Sequence, residues 1–223
     1  YYDGEVKAGL ASMHPYGKWL NENRIQLEKL KSGRKVENAV ENLNQKLACF
    51  GFDKEAITHT IAPMCIKGVE PSAAMGNDTP LAVVSDRPQI FFDHFRQQFA
   101  QVTNPAIDPI REELVMSLTE YIGAVGSNIL TPDENNCKMV RLPFPILNNT
   151  QLDLLCNIRY KGFKTIKLPI VFEIGRGSDG LRSALDELCR KAEASVEQGI
   201  NYIILSDRFV DETHAAIPSL LAV

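Results

Sequence analysis

Residues 166–207 read IKLPIVFEIGRGSDGLRSALDELCRKAEASVEQGINYIILSD, and their reading decides the fold. The run 166–174 is apolar and of strand length, with no helical spacing. Leu181, Leu185, Leu188, Cys189, Ala192 and Val196 then recur at threes and fours, which marks one face of a helix. Gly199 ends that pattern, and YIILSD is a second buried-type strand. A strand, a crossing helix and a strand joined by short connections imply a parallel pair with a right-handed crossover. Such units build doubly wound sheets and barrels alike, so the expected class is α/β. The spacing predicts a strand at about 168–174, a helix at about 180–198 and a parallel strand at about 201–206.

Inside this stretch Gly175, Gly177 and Gly180 fall at the spacing G-x-G-x-x-G, between a strand and a helix, where a dinucleotide fingerprint would sit. Asp207 stands near the place of the acid that takes a ribose hydroxyl. Turn chemistry accounts for the same residues: Ser178 or Asp179 can cap the helix, and Gly180 can ease its first turn. Glu173 and Asp179 also bring negative charge to the phosphate position, with only Arg176 against it. A nucleotide-binding oxidoreductase using Gly175 to Gly180 therefore stands as the alternative reading, behind a plain β-α turn.

Working back toward the start, Asn148-Asn149-Thr150 matches a glycosylation sequon but reads as the polar start of a helix running into Gln151 and Leu152. The runs Leu114 to Ile122 and Met139 to Leu147 read as strands, separated by a turn around Thr131-Pro132-Asp133. LAVVS (81–85) has strand length. Asp86 is then a cap candidate, Pro88 suits a first turn, and Gln89 completes a capping box. The helix expected there carries Phe91, Phe95 and Phe99 four apart, a stripe expected in the core. Before it, GVEPSAAMGNDTP (68–80) is a loop. The first third is helical by pattern: one stretch from Tyr16 to Leu30, a second from Val36 to Phe50, and a third capped by Asp53 and running to about Met64. A boundary falls near residue 70, between a helical subdomain (1–70) and an α/β core (71–223).

Composition bounds the function. The chain has 223 residues, 44% hydrophobic and 23% charged, as a globular protein does. A net charge of -4, with no basic cluster, argues against nucleic acid or an anionic membrane as partner. No apolar run is long enough to span a bilayer. Cys49, Cys65, Cys137, Cys156 and Cys189 are odd in number and irregularly spaced, so they read as small buried thiols in a reducing compartment. His14, His59, His94 and His214 are scattered and give no metal-ligand spacing. The opening YYDGEVKAG without an initiator Met, and the ending LAV, suit a segment of something longer.

Two further segments carry a resemblance. AMGNDTPLAVVSDRPQIFFDHFRQQFAQVTNPAIDPIREELVMSL (74–118) resembles the central domain of the glutamate synthase large subunit. The likeness continues at both ends, in DGEVKAGLASMHPYGKWLNEN (3–23) and in GLRSALDELCRKAEASVEQG, ILSDR and AIPSLLAV. The family more often has an acid where Asn77 stands and a proline where Ala106 stands. The resemblance implies an α/β domain likened to a rudimentary (β/α) barrel, here with a parallel sheet behind a helical N-terminal subdomain. It implies a parent enzyme whose N-terminal glutaminase domain releases ammonia from glutamine. The ammonia passes through a tunnel to an FMN-binding domain with an iron-sulfur cluster, where 2-oxoglutarate becomes glutamate. NAD(P)H or ferredoxin supplies the electrons, and a small reductase subunit can accompany the large one in the cytoplasm.

The central domain links the two catalytic domains and holds no cofactor, so no catalytic, cofactor or metal residues are expected in this chain. The tunnel runs beside segments matching Met75 and Thr103-Asn104. Their chemistry suits a passage: Met75 is flexible and apolar, and Thr103 and Asn104 offer weak polar contacts. Without the family, Thr103-Asn104-Pro105 reads as a turn and Met75 as a loop contact.

Overall fold

Ile170 joins two ladders of the chain: its N–H donates to Ser206 O, and its carbonyl accepts from Ile217 N, each at 2.9 Å. The computed structural model in which this is seen describes residues 2–30, 40–72, 76, 78–96, 98–99, 107–123, 128, 130–160 and 162–223. Helices and strands among them succeed one another in chain order. They are α1 (Asp3–Ser12), α2 (Tyr16–Asn23), β1 (Ile25–Gln26), α3 (Leu43–Cys49), α4 (Ala62–Lys67), α5 (Pro109–Val115), β2 (Glu120–Ile122) and β3 (Val140–Leu142). Then come α6 (Asn149–Cys156), β4 (Thr165–Pro169), β5 (Val171–Glu173), α7 (Gly177–Glu197), β6 (Tyr202–Ser206), β7 (His214–Ala216) and α8 (Ser219–Ala222). This is a mixed α/β chain with parallel strands, as its sequence implies.

The chain gathers into two compact units, one of Tyr1–Asn38 with Ile110–Ile217 and Ala222, the other of Ala39–Pro109 with Pro218–Leu221 and Val223. The segment ahead of residue 70 is thus shared between them. In the first unit β4 and β6 run parallel, from Thr165 opposite Tyr202 to Pro169 opposite Ser206. The chain then passes through Ile170 into β5, which pairs antiparallel with β7. Pro169 has no N–H to give a ladder, and it stands at the end of β4, where that absence costs least. The strand expected at 168–174 is therefore two strands with a joint. Helix α7 comes next, and Leu181, Ala184, Leu185 and Ala192 pack on a core of Leu168, Ile170, Leu188 and Ile217. At its last turn Ser195 faces inward and Val196 outward. The buried Ser195 hydroxyl is satisfied by donating to Lys191 O at 2.6 Å.

A second core holds Ile25, Leu27, Val140, Leu142, Leu155, Ile158, Phe163 and Tyr202. The Phe163 and Tyr202 rings stack with centroids 5.4 Å apart, and the Tyr202 hydroxyl donates to Ile122 O at 2.9 Å. Beneath them β3 pairs parallel with β1 and antiparallel with β2. Ile25 and Leu27, expected on a helix, thus lie in β1 and the 3₁₀ turn after it. Helix α6 begins as its sequence predicts, with Asn148 accepting from Gln151 N and Gln151 accepting from Asn148 N, both at 2.9 Å. The expected strand from Leu114 is helix α5 up to Val115, opened by Pro109, and only then β2.

The second unit departs further from expectation. LAVVS forms a 3₁₀ turn at Ala82–Val84 rather than a strand. Ser85, not Asp86, organises the next turn of chain, its Oγ accepting from Arg87 N at 3.1 Å and from Gln89 Nε2 at 3.0 Å. Phe91–Phe95 is a short 3₁₀ helix, too brief to lay an i, i+4 stripe on a core, and Phe95 and Phe99 are exposed. Asp53 does open the third helix, accepting from Ala56 N at 2.7 Å. That helix winds as a π turn over Ala56–Ile61 ahead of Pro63, then continues as α4 to Lys67. The described residues that are buried all lie in the first unit.

Candidate functional site

Three positions carry the tunnel expectation, and Met75, Thr103 and Asn104 all lie outside the described residues. Within their unit the described residues form a groove of about 580 Å³, bordered by Gly51, Asp53, Leu81, Val84, Ile90 and His94. Its charged groups are engaged: Asp53 caps the helix after it, and Asp93 pairs with Arg96 at 3.0 Å. His94 reaches the groove but makes no hydrogen bond to a nucleophile or carboxylate among the described residues. Among the described residues the groove sets no base beside a nucleophile.

The glycine turn is well described. In a dinucleotide fold the strand that leads into the glycines belongs to the parallel sheet. Here the parallel strand is β4, while β5, which leads into Gly175, pairs antiparallel with β7. The three glycines also do unlike things. A Cβ on Gly180 would lie 2.8 Å from Arg176 Cβ and 2.9 Å from Glu173 O, so the turn closes on itself only without one. Gly177 has φ +55° and ψ -138°, which L side chains avoid, and Gly175 has open space and no positive φ. The helix starts at Gly177 with no side-chain cap, so Ser178 and Asp179 lie in its first turn instead of capping it. Asp179 there suits the helix dipole and disfavours a phosphate.

Beside this turn lies a hollow of about 260 Å³, bordered by Phe172, Glu173, Arg176, Ser183, Lys191 and His214. Glu187 is held below its ordinary pKa by its hydrogen bond and ion pair with Lys191, 2.6 Å away. Asp211 accepts from the Thr213 hydroxyl at 2.8 Å, Thr213 N at 2.7 Å and His214 N at 2.8 Å, with His214 Nδ1 at 3.0 Å. Those donors, the Thr213 hydroxyl foremost, hold the Asp211 carboxyl well below the usual carboxylate range. Sequence reasoning missed this turn, although Asp-x-Thr is a recognisable Asx signal.

The cysteines are not core thiols, since Cys49, Cys65 and Cys189 are exposed and Cys137 and Cys156 half-buried. Cys189 sits one step round α7 from Leu188, off the packed stripe. Among the described residues no three His, Cys, Asp or Glu side chains gather to hold a metal ion. Among the same residues no helix is long and apolar enough to cross a membrane.

The family model described as the glutamate synthase central domain matches residues 45–223. The chain belongs to that family. As a glutamate synthase central domain it is 44% identical over its whole length to the chloroplastic ferredoxin-dependent glutamate synthase of Spinacia oleracea. Over 99% of its length it is 40% identical to the large chain of the NADPH glutamate synthase of Bacillus subtilis (strain 168). Over 99% it is also 35% identical to the NADH glutamate synthase of Schizosaccharomyces pombe (strain 972 / ATCC 24843). The chain spans 14%, 14% and 11% of the length of these relatives. For a glutamate synthase central domain the reading of Gly175 to Gly180 as a nucleotide site is set aside, and the glycines are accounted for by the turn they make.

Proposed function

We propose that this chain is the non-catalytic central domain of a glutamate synthase large subunit, joining a glutaminase domain to an FMN-binding synthase domain in the same polypeptide. The parent enzyme makes L-glutamate from L-glutamine and 2-oxoglutarate, drawing electrons from NAD(P)H or ferredoxin. FMN and the iron-sulfur cluster belong to the synthase domain, and a small reductase subunit joins through the parent enzyme, in the cytoplasm. The observation that carries this reading is the family match over residues 45–223, in a chain that spans only about a seventh of its relatives' length. Relatives named for three electron donors are similar to it throughout, which supports donor choice lying in other segments.

Met75, Thr103 and Asn104 border the ammonia route in this proposal. Thr103→Leu in the full enzyme then narrows the passage. It lowers glutamine-dependent glutamate formation more than formation from supplied ammonia. The fold survives in this proposal, because exchanging threonine for leucine deletes no large apolar side chain. A folded Thr103→Leu enzyme with an unchanged ratio of the two rates removes the role. The isolated chain binds no flavin and shows neither half-reaction, and a stoichiometric flavin in the purified chain would contradict this.

A further inference from the structure

The hollow beside the glycine turn lies wholly within the first unit, and the chain from 162 to 223 is described throughout, so its walls are defined. Val171, Phe172, Ala184 and the buried Leu188 give it an apolar lining. Three charged or titratable groups converge on the rest of the wall. Glu173 and His214 stand opposite each other in the β5–β7 ladder. The next ladder bond runs from Ile174 N to Thr213 O, which makes Glu173 and His214 a non-hydrogen-bonded pair with side chains close together on one face. Arg176 comes to the same place from the turn, since its Cβ and Glu173 O lie 2.8 and 2.9 Å from the position a Cβ on Gly180 would take. All three have bonding capacity left. Arg176 makes no ion pair among the described residues and reaches only the Ser183 hydroxyl, at 3.4 Å. The Glu173 carboxylate has no polar partner among them, so two opposite charges three residues apart face one hollow without pairing. The His214 ring is held through Nδ1 by Asp211 at 3.0 Å, which leaves Nε2 as an acceptor in the neutral ring. Lys191 and Glu187, on the same border, satisfy each other.

We infer that this hollow binds a free α-amino acid, whose carboxylate is taken by the Arg176 guanidinium and whose ammonium donates to Glu173 and to His214 Nε2. A zwitterion answers both unpaired charges at once. An anion alone would face Glu173, and a cation alone would face Arg176. At about 260 Å³ the hollow exceeds by several times the about 30 Å³ share of one water, and it has room for a ligand of roughly ten non-hydrogen atoms. The apolar lining takes the methylene groups of the ligand's side chain. Ser183 and His214 share no hydrogen bond, so the site holds its ligand without an activated nucleophile beside a base.

Titration of the 223-residue chain with L-glutamine, a zwitterion with an uncharged polar side chain, followed through backbone amide NMR signals, tests the site. Signals of residues 171–176, 183 and 214 are expected to shift, with a Kd of about 1 mM for so small a ligand. Glutaramate lacks the ammonium and γ-aminobutyramide lacks the carboxylate. Each is expected to bind at least about tenfold more weakly than L-glutamine. Arg176→Met and Glu173→Gln change exposed side chains and should each weaken L-glutamine at least about tenfold, with the circular dichroism of the parent chain retained. Any one of three results overturns the site: no shifts at these residues up to about 50 mM ligand, glutaramate or γ-aminobutyramide binding as tightly as L-glutamine, or unaltered affinity in both variants. If a variant loses the parent circular dichroism, the two analogue titrations on the unaltered chain decide between the same outcomes.

Discussion

Alanine at each of the three glycines between residues 175 and 180 gives three different outcomes if the turn is as described. Gly180 lies inside the first turns of a long helix, where exchanging glycine for alanine ordinarily stabilises by about 0.5–1 kcal/mol. Here the new Cβ meets a backbone oxygen at 2.9 Å and another Cβ at 2.8 Å, neither of them the loose end of a side chain. Overpacking of that kind costs about 1–3 kcal/mol, which cancels or outweighs the gain, so Gly180→Ala is destabilising by up to about 2.5 kcal/mol net instead of stabilising. Gly177→Ala keeps its space but must hold a backbone region reserved for glycine, at about 1–3 kcal/mol. Gly175→Ala meets no atom within 4 Å, and a less flexible unfolded chain makes it neutral or stabilising by up to about 1 kcal/mol. Urea unfolding of the three variants, followed by far-ultraviolet circular dichroism, measures all of these on one scale. A stabilised Gly180→Ala, or a Gly175→Ala that costs the most, would refute the assignment of these glycines to turn geometry.

Tyr202→Phe keeps the stack on Phe163 but removes the bond to Ile122 O, a loss of about 0.5–1.5 kcal/mol in urea unfolding. Burial above all raises the Tyr202 hydroxyl beyond its ordinary 10.0. The neutral form therefore favours the fold: its stabilisation is complete below about pH 10 and declines as pH rises further, and thermal melts of Tyr202→Phe should show a shallower alkaline decline. Asp211 has the opposite sign, since its folded pKa is depressed by the Thr213 and His214 donors. Its contribution is complete above the ordinary carboxylate value of 3.8 and is lost as pH falls through the lowered one, so Asp211→Asn should flatten the acid limb of stability. Asn148→Ala removes one half of the reciprocal cap on α6 and should cost about 1 kcal/mol, read as a shift in the urea midpoint.

The parts of the fold that were legible in the sequence are those whose causes are local. The stripe from Leu181 to Ala192, the stop at Gly199 and the cap at Asn148 each depend on residues within a turn or two of one another. β1 was hidden because it is two residues long and exists through its pairing with Val140 and Arg141, more than a hundred positions away. No periodicity can announce such a strand, and the apolar spacing around Ile25 and Leu27 fits a helix just as well. LAVVS misled in the other direction: a β-branched run of strand length acquires no partner strand among the described residues and closes into a 3₁₀ turn. The tunnel expectation rests on the family likeness alone. Met75, Thr103 and Asn104 lie outside the described residues, and their residue types alone mark no centre, whereas the more conspicuous G-x-G-x-x-G spacing is met by self-packing of a turn.

The joint at Ile170 ties two choices of register into one. Because the N–H of this residue is fixed to Ser206 and its carbonyl to Ile217, β4 cannot slide against β6 without carrying β5 along β7. A slip by one residue would turn Leu168 and Ile170 out of the core in the same step that misaligned Glu173 and His214. Short ladders are prone to wrong pairings, and three-residue strands such as β5 and β7 have little of their own to choose by. Sharing one residue gives the weaker pair the selectivity of the stronger, so the parallel ladder works as a template that checks the alignment of the antiparallel pair beside it.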